Sequence, residues 1–210
     1  MLVKVFGAAV QGISATIISI EVNISRGIKF FLVGLPDNAI KESHERIVSA
    51  LQYNGIKFPG QQIVINMAPA DIKKEGAAYD LPLAIGILAA NGNISKEKAE
   101  QYLIMGELSL DGTLKPIKGV LPIAIKAREE GFKGFILPKE NSREAAVVNN
   151  LDVYGVSNII EVIDFLNDKI ELEKTEVNTR EEFFAHINAF DIDFFVCAAD
   201  CGCSCFIQFQ

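Results

Sequence analysis

The groups most suggestive of chemistry are four cysteines packed into nine residues, Cys197, Cys201, Cys203 and Cys205. Thiolates bind zinc and other soft metals, but closed tetrahedral sites usually pair their cysteines as C-x2-C knuckles. The gaps here are of three, one and one residues, so two readings are open: a thiophilic metal site, or an unstructured tail of vector-encoded or frame-shifted character. The two histidines, His44 and His186, lie far apart. His44 falls on the apolar stripe of an expected helix and reads as a packed core residue. No G-x-x-x-x-G-K-[ST] segment and no G-x-G-x-x-G fingerprint occurs, so no nucleotide site follows from the sequence. Lys73 and Lys74, together with Lys139 and Arg143, supply cations that read either as a solvated loop face or as contacts to DNA phosphates. Ser109 and Lys118 offer a hydroxyl and an amine near the middle of the chain, each on an expected hairpin or turn.

These groups need elements to position them. Residues 104–110 and 113–117 are apolar runs joined by Asp111-Gly112, which predicts a hairpin with a two-residue type I′ turn. A helix-period segment follows from about residue 120, with Leu121, Ile123, Ala124 and Ala127 apolar, and Gly131 ends it. Residues 134–137 read as a buried strand closed by Pro138. Upstream, strands are expected at 1–8, 13–23, 28–33 and 63–67. Asp37 is a good N-cap for a helix bearing Ile40, Ile47, Val48 and Leu51. An apolar helix is expected over 80–90, with Pro82 in its first turn, and Ser95 caps a short helix running to Tyr102. A helix at 142–148, a strand at 153–156 and a helix at 159–166 complete an α/β (α+β) domain with a mixed sheet and helices.

Composition bounds the rest. The chain has 210 residues, half of them apolar, and a net charge of −7. Residues 1–150 hold 17 Lys/Arg and 15 Asp/Glu, whereas residues 151–210 hold 3 and 12. That balance argues against a broad electrostatic nucleic-acid footprint. No apolar run reaches the roughly 18–20 residues of a membrane helix, and neither a leader pattern nor a cysteine in residues 1–196 points away from a cytoplasmic, reducing location. The expected organisation is a domain over 1–167, an acidic linker over 168–193 and a cysteine-rich, unstructured tail over 194–210.

Several motifs agree in spacing and order with a known family. They are Ala8-Ala9-Val10-Gln11-Gly12, Val33-Gly34-Leu35-Pro36-Asp37, Asn66-Met67-Ala68-Pro69-Ala70-Asp71, Lys73-Lys74-Glu75-Gly76 and Tyr79-Asp80-Leu81-Pro82. Over residues 1–167 the chain resembles the N-terminal domain of the YifB/ComM family, the magnesium-chelatase-like AAA+ proteins. Residues 104–141 also resemble the proteolytic domain of Lon proteases, with the same hairpin, Pro-Ile-Gly-Gly turn, helix and Leu-Pro-x-Glu-Asn ending. The resemblance implies a Lon-like fold of the superfamily shared with GHMP kinases and ribosomal proteins.

Lon-like proteases use a Ser–Lys dyad, in which a desolvated lysine takes the serine proton. By that resemblance the serine position is Ala78 and the lysine position is Leu121, so the expectation is a chain with no catalytic residues. The alternative is an active Lon-like serine peptidase. The resemblance further implies an AAA+ motor that binds ATP and Mg²⁺, hexameric neighbours, and, in the ComM branch, DNA branch migration in natural transformation. Phe190-Asp191-Ile192-Asp193-Phe194 matches the family's junction to that motor, after which the match stops. The expectation is therefore a chain cut before the ATPase, itself without cofactor or metal, whose partners are the motor and neighbouring subunits, with DNA a further candidate.

Overall fold

Alternation of Val3 and Val5 with Lys4 and Phe6 makes the first segment a strand with one buried face. The computed structural model describes residues 2–177. In it, β1 (Leu2–Gln11) pairs antiparallel with β2 (Ser14–Ser25), which pairs antiparallel with β4 (Gln62–Ala68). Outside β4 lies the short β3 (Phe30–Val33), parallel to it. On the other side of β1 follow three parallel strands, β5 (Tyr102–Ile104), β8 (Gly134–Pro138) and β9 (Asp152–Val156). The seven-stranded sheet runs β3-β4-β2-β1-β5-β8-β9, with β2 alone opposed to its neighbours. It is thus the expected mixed sheet.

Helices cover both faces. All eleven residues of α3 (Asp80–Ala90) are buried, and the helix packs on β1 and β2 beside Val5 and Ile20. A helix apolar all round belongs in a core, and this one has its expected bounds. On the opposite face α5 (Val120–Glu129) lies over β1, β2 and β8, and Phe6 meets Phe132 edge-on at 5.2 Å between ring centres. α6 (Ser142–Ala146) packs on β9, and α7 (Ile159–Leu166) keeps the bounds read for it.

Three local expectations are corrected. The helix capped by Asp37 comes as two pieces, α1 (Asn38–Lys41) and α2 (Ser43–Tyr53), although the side chain of Asp37 does cap the first through the Ile40 amide. The helix capped by Ser95 is only α4 (Lys96–Ala99), and Tyr102 opens β5. The hairpin of β6 (Glu107–Leu108) and β7 (Leu114–Lys115) has a three-residue loop. Ser109 N–H donates to Thr113 C=O, and Gly112 N–H to Ser109 C=O, both at 2.9 Å. Gly112 alone carries a positive φ, +88°, so this is a type I turn closed by a left-handed glycine rather than a type I′ pair.

Residues 168–177, assigned to the linker, remain attached to the body. Thr175 N–H donates to Val153 C=O at 2.8 Å, Lys174 pairs with Asp152 at 2.8 Å, and Leu172 packs against the core. The rest of the expected linker, with His186, and the cysteine tail lie outside the described residues. Among the described residues no helix is long and apolar enough to cross a membrane.

Candidate functional site

The motifs that carry the resemblance converge beside the N-terminal end of α3. β3 ends in Gly34, whose φ of +103° only glycine adopts without strain, and whose absent Cβ would collide with the Met67 carbonyl. This brings the turn after β3 against the segment leaving β4. Lys74 fills the gap between them. It is buried, and its ammonium donates to Gly34 C=O at 2.8 Å and to Pro69 C=O. Burial pushes the Lys74 ammonium below the ordinary lysine range, partly countered by Asp71. Asp37 N–H donates to Lys74 C=O at 3.2 Å, and the second carboxylate oxygen of Asp37 accepts Gly76 N–H at 2.9 Å.

A second polar network opens α3. Asp80 is fully buried and accepts from Ser43 Oγ at 2.5 Å, Arg46 Nε at 2.6 Å, Arg46 Nη2 at 2.9 Å and Leu108 N–H at 3.2 Å. Four donors on one carboxylate satisfy the charge that burial would otherwise penalise. The hydrogen bond to Asp80 also raises the Arg46 guanidinium further above its ordinary value. A third clamp links two Lon-like motifs. Asn141 accepts from Ile117 N–H at 2.8 Å and donates to Ile117 C=O at 3.1 Å, tying the ending near residue 138 to the turn at 116–119.

Between these clamps lies a cavity of about 320 Å³. The end of β1, from Ala8 to Gln11, forms one wall, and Ala78, Tyr79, Met105 and Ile123 supply apolar surface. Lys73, Glu75 and Lys118 supply the charge. Tyr79 is spoken for: its hydroxyl donates to Ala8 C=O at 2.9 Å, and burial raises its pKa. Lys73 is held by Glu75 at 2.5 Å, which raises its pKa. No Ser, Thr, Cys or His is among the described residues lining the cavity. Ala78 brings a methyl group to the position where the resemblance places a nucleophile. Leu121 is 38% exposed, lies off the cavity lining, and gives its amide to Glu144 at 3.2 Å. Lys118, rather than the residue at position 121 that the resemblance aligns with the Lon lysine, lines the cavity.

The sequence-predicted cations do not form one face. Lys74 is corrected outright, because a buried ammonium engaged with two carbonyls cannot meet phosphate. Lys73 faces the cavity. Lys139 and Arg143 are exposed on the turn and helix after β8, and Lys139 borders a separate depression with Leu114 and Val156. Ser109 stays in the hairpin, outside the cavity lining. His44 is half-buried between Phe30, at 4.5 Å, and Phe58, at 5.4 Å. The Asp80–Arg46–Ser43 network and Asn141 were not singled out from sequence. Arg46 and Ser43, three residues apart on one helical face, were the available signal.

A family model described as subunit ChlI of Mg-chelatase matches residues 20–141. The chain belongs to this family. Among curated relatives of this Mg-chelatase-like protein, competence protein ComM of Haemophilus influenzae is 37% identical over 191 residues, covering 90% of the chain and 37% of the relative. YifB of Escherichia coli is 38% identical over 167 residues, covering 79% and 33%. Lon protease 2 of Bacillus subtilis is 32% identical over 126 residues, covering 59% and 22%. The Mg-chelatase-like chain therefore spans about a third of the length of the ComM and YifB relatives it matches.

Proposed function

We propose that this chain is a non-catalytic, Lon-like module that works beside an AAA+ motor of the ComM type. The observation that carries the reading is the cavity wall at Ala78. The resemblance puts a Lon-type nucleophile at this position, and the cavity there is lined by a methyl group, a tied tyrosine and paired or solvated charges. Peptide hydrolysis needs an activated nucleophile with a desolvated base in hydrogen-bond reach, and the lining offers no serine, threonine or cysteine beside its exposed Lys118. ATP and Mg²⁺ belong, in this reading, to the motor, whose phosphate chemistry needs a P-loop and an acidic metal ligand. DNA is the motor's substrate, moved by branch migration during transformation. The module's own phosphate contacts would fall to Lys139 and Arg143, which share one exposed turn. Its other partners are the motor and the neighbouring subunits of a hexamer.

The test is cleavage of casein and of fluorogenic peptides by the purified chain, beside the Ala78→Ser, Leu121→Lys double variant. The unmutated chain is expected to be silent. Turnover by it that a serine-directed fluorophosphonate abolishes would establish a Lon-like peptidase instead.

A further inference from the structure

The two edges of the large sheet are treated differently. The β9 edge is occupied by the chain itself, through the bond from Thr175 to Val153 and the Lys174–Asp152 ion pair. The β3 edge is open among the described residues. Ile63 N–H donates to Lys29 C=O at 2.9 Å, and the parallel register continues from Phe30↔Ile63 to Val33↔Asn66. Because backbone groups alternate sides along a strand, residues 29, 31 and 33 bond to β4, and the N–H and C=O of Phe30 and Leu32 point out of the sheet. Natural sheets usually blunt such an edge with charge, proline or a covering segment. Here the apolar content rises instead: Phe31 is 44% exposed and Val33 48%, flanked by Ile28 at 90% and Leu35 at 59%. Leu35 also holds a left-handed φ of +56°, which is uncommon for a side chain of its kind.

Four cations stand around this edge. Arg26 and Lys29 lead into β3, Lys41 follows it on α1, and Lys57 stands beside Phe58, which contacts His44 under the strand. All four are exposed and make no ion pair among the described residues. Of the nearby carboxylates, Asp37 is turned to backbone amides, Glu42 stands 3.9 Å from Arg46 and Glu45 3.1 Å from His44, and none pairs with these four cations.

We propose that the β3 edge is a docking strand for an extended partner segment of apolar side chains flanked by carboxylates at its ends. The partner's main chain would pair with Phe30 and Leu32. Its apolar side chains would lie on Phe31 and Val33, and the carboxylates at the end nearest the start of β3 would meet Arg26 and Lys29. Main-chain bonds of this kind give affinity, and alternate side chains give selectivity.

A fluorescein-labelled peptide of about eight residues, with alternating Val and Thr in the middle and two Asp or Glu at each end, serves as the probe. It is expected to bind the intact chain, and binding should fall about tenfold with the Arg26→Glu, Lys29→Glu pair or with Phe31→Thr. These positions are exposed, so the variants should keep the wild-type melting temperature. The same peptide N-methylated at alternate amides should not bind. On saturation, hydrogen exchange of the Leu32 amide should slow at least about tenfold, a readout that a purely ionic contact would not move. Absence of binding, equal binding of a lysine-for-acid peptide, or unprotected Leu32 would overturn the proposal. Self-association of the chain that Phe31→Thr abolishes would replace the peptide with a second copy.

Discussion

Lys74 and Lys118 bring the same side chain into opposite situations within one small region. Lys74 is buried under the turn after β3, with two carbonyls fixed around its ammonium. Lys118 is exposed at the mouth of the cavity, with its charge in solvent. The first lysine joins the segment leaving β4 to the turn after β3 at Gly34, forty residues earlier in sequence. The second lines a chamber into which Ala78 brings a methyl group. Around Lys74 and Asp80 every polar atom has a partner, and no described buried side-chain polar atom is left without one. Around Ala78 the wall is small and apolar. The difference teaches that the motifs shared with relatives do two separable things here: those around Lys74 and Asp80 clamp the fold with polar contacts, whereas the one at Ala78 leaves an apolar wall beside a solvated charge.

The comparison breaks most visibly at Asp80. Asp80→Ala leaves Arg46 facing a cavity without its carboxylate and deprives Ser43 and the Leu108 amide of their acceptor. Breaking a buried pair from one side costs about 3–5 kcal/mol, and the partial exposure of Arg46 favours the lower end. Urea unfolding at pH 7 should show a lower midpoint with an unchanged slope. A loss below about 1 kcal/mol would mean that the network is not a clamp.

Lys74→Met should cost less, about 2 kcal/mol, by orphaning the Gly34 and Pro69 carbonyls while keeping the side chain's volume. It also carries a pH signature. Burial lowers the Lys74 pKa in the folded chain, so the folded state sheds its proton before the unfolded state does. The unfolded state then binds more protons in the window just below the ordinary lysine value near 10.5, and stability rises with pH there. Lys73, Lys126 and Lys174, whose pairing raises their pKa values, act in the opposite sense as pH climbs. The difference between wild type and Lys74→Met cancels them, and should move in favour of wild type as pH rises through the window just below 10.5. A flat difference would place the ammonium in solvent.

Much of this arrangement was legible because local signals sufficed. α3 and α7 were bounded correctly since Pro82 marks the first turn of one, Asn158 caps the other, and apolar positions run to the end of each. β5 was misread because Tyr102-Leu103-Ile104 is buried on both faces between parallel neighbours, and an unbroken apolar run does not show its period. The hairpin was shortened by one residue because Asp-Gly suits either loop, and only the Ser109–Thr113 pairing decides. Lys74 was placed on the surface because a Lys-Lys pair usually is solvated. What buries it is a carbonyl cradle formed by Gly34, forty residues earlier, and by Pro69. The Asp80 network escaped for the same reason, as its partners Ser43 and Arg46 come from another helix.

The smallest expected change is Ala78→Ser. The position is half-buried on the turn that leads into α3, and one added hydroxyl facing a cavity of about 320 Å³ should shift stability by no more than about 0.5 kcal/mol. Its value is chemical. The hydroxyl would share the cavity with Lys118, but a lysine base has to be desolvated to accept a serine proton, and Lys118 is exposed. The single variant should therefore label with fluorophosphonate only at background, with an unchanged melting temperature. Adding Leu121→Lys asks whether the aligned position can swing inward from its exposed site beside Glu144. Labelling of the double variant alone would assign the base to residue 121. Labelling of the single variant at the same rate would assign it to Lys118, and would erase the contrast between a structural and an idle lysine.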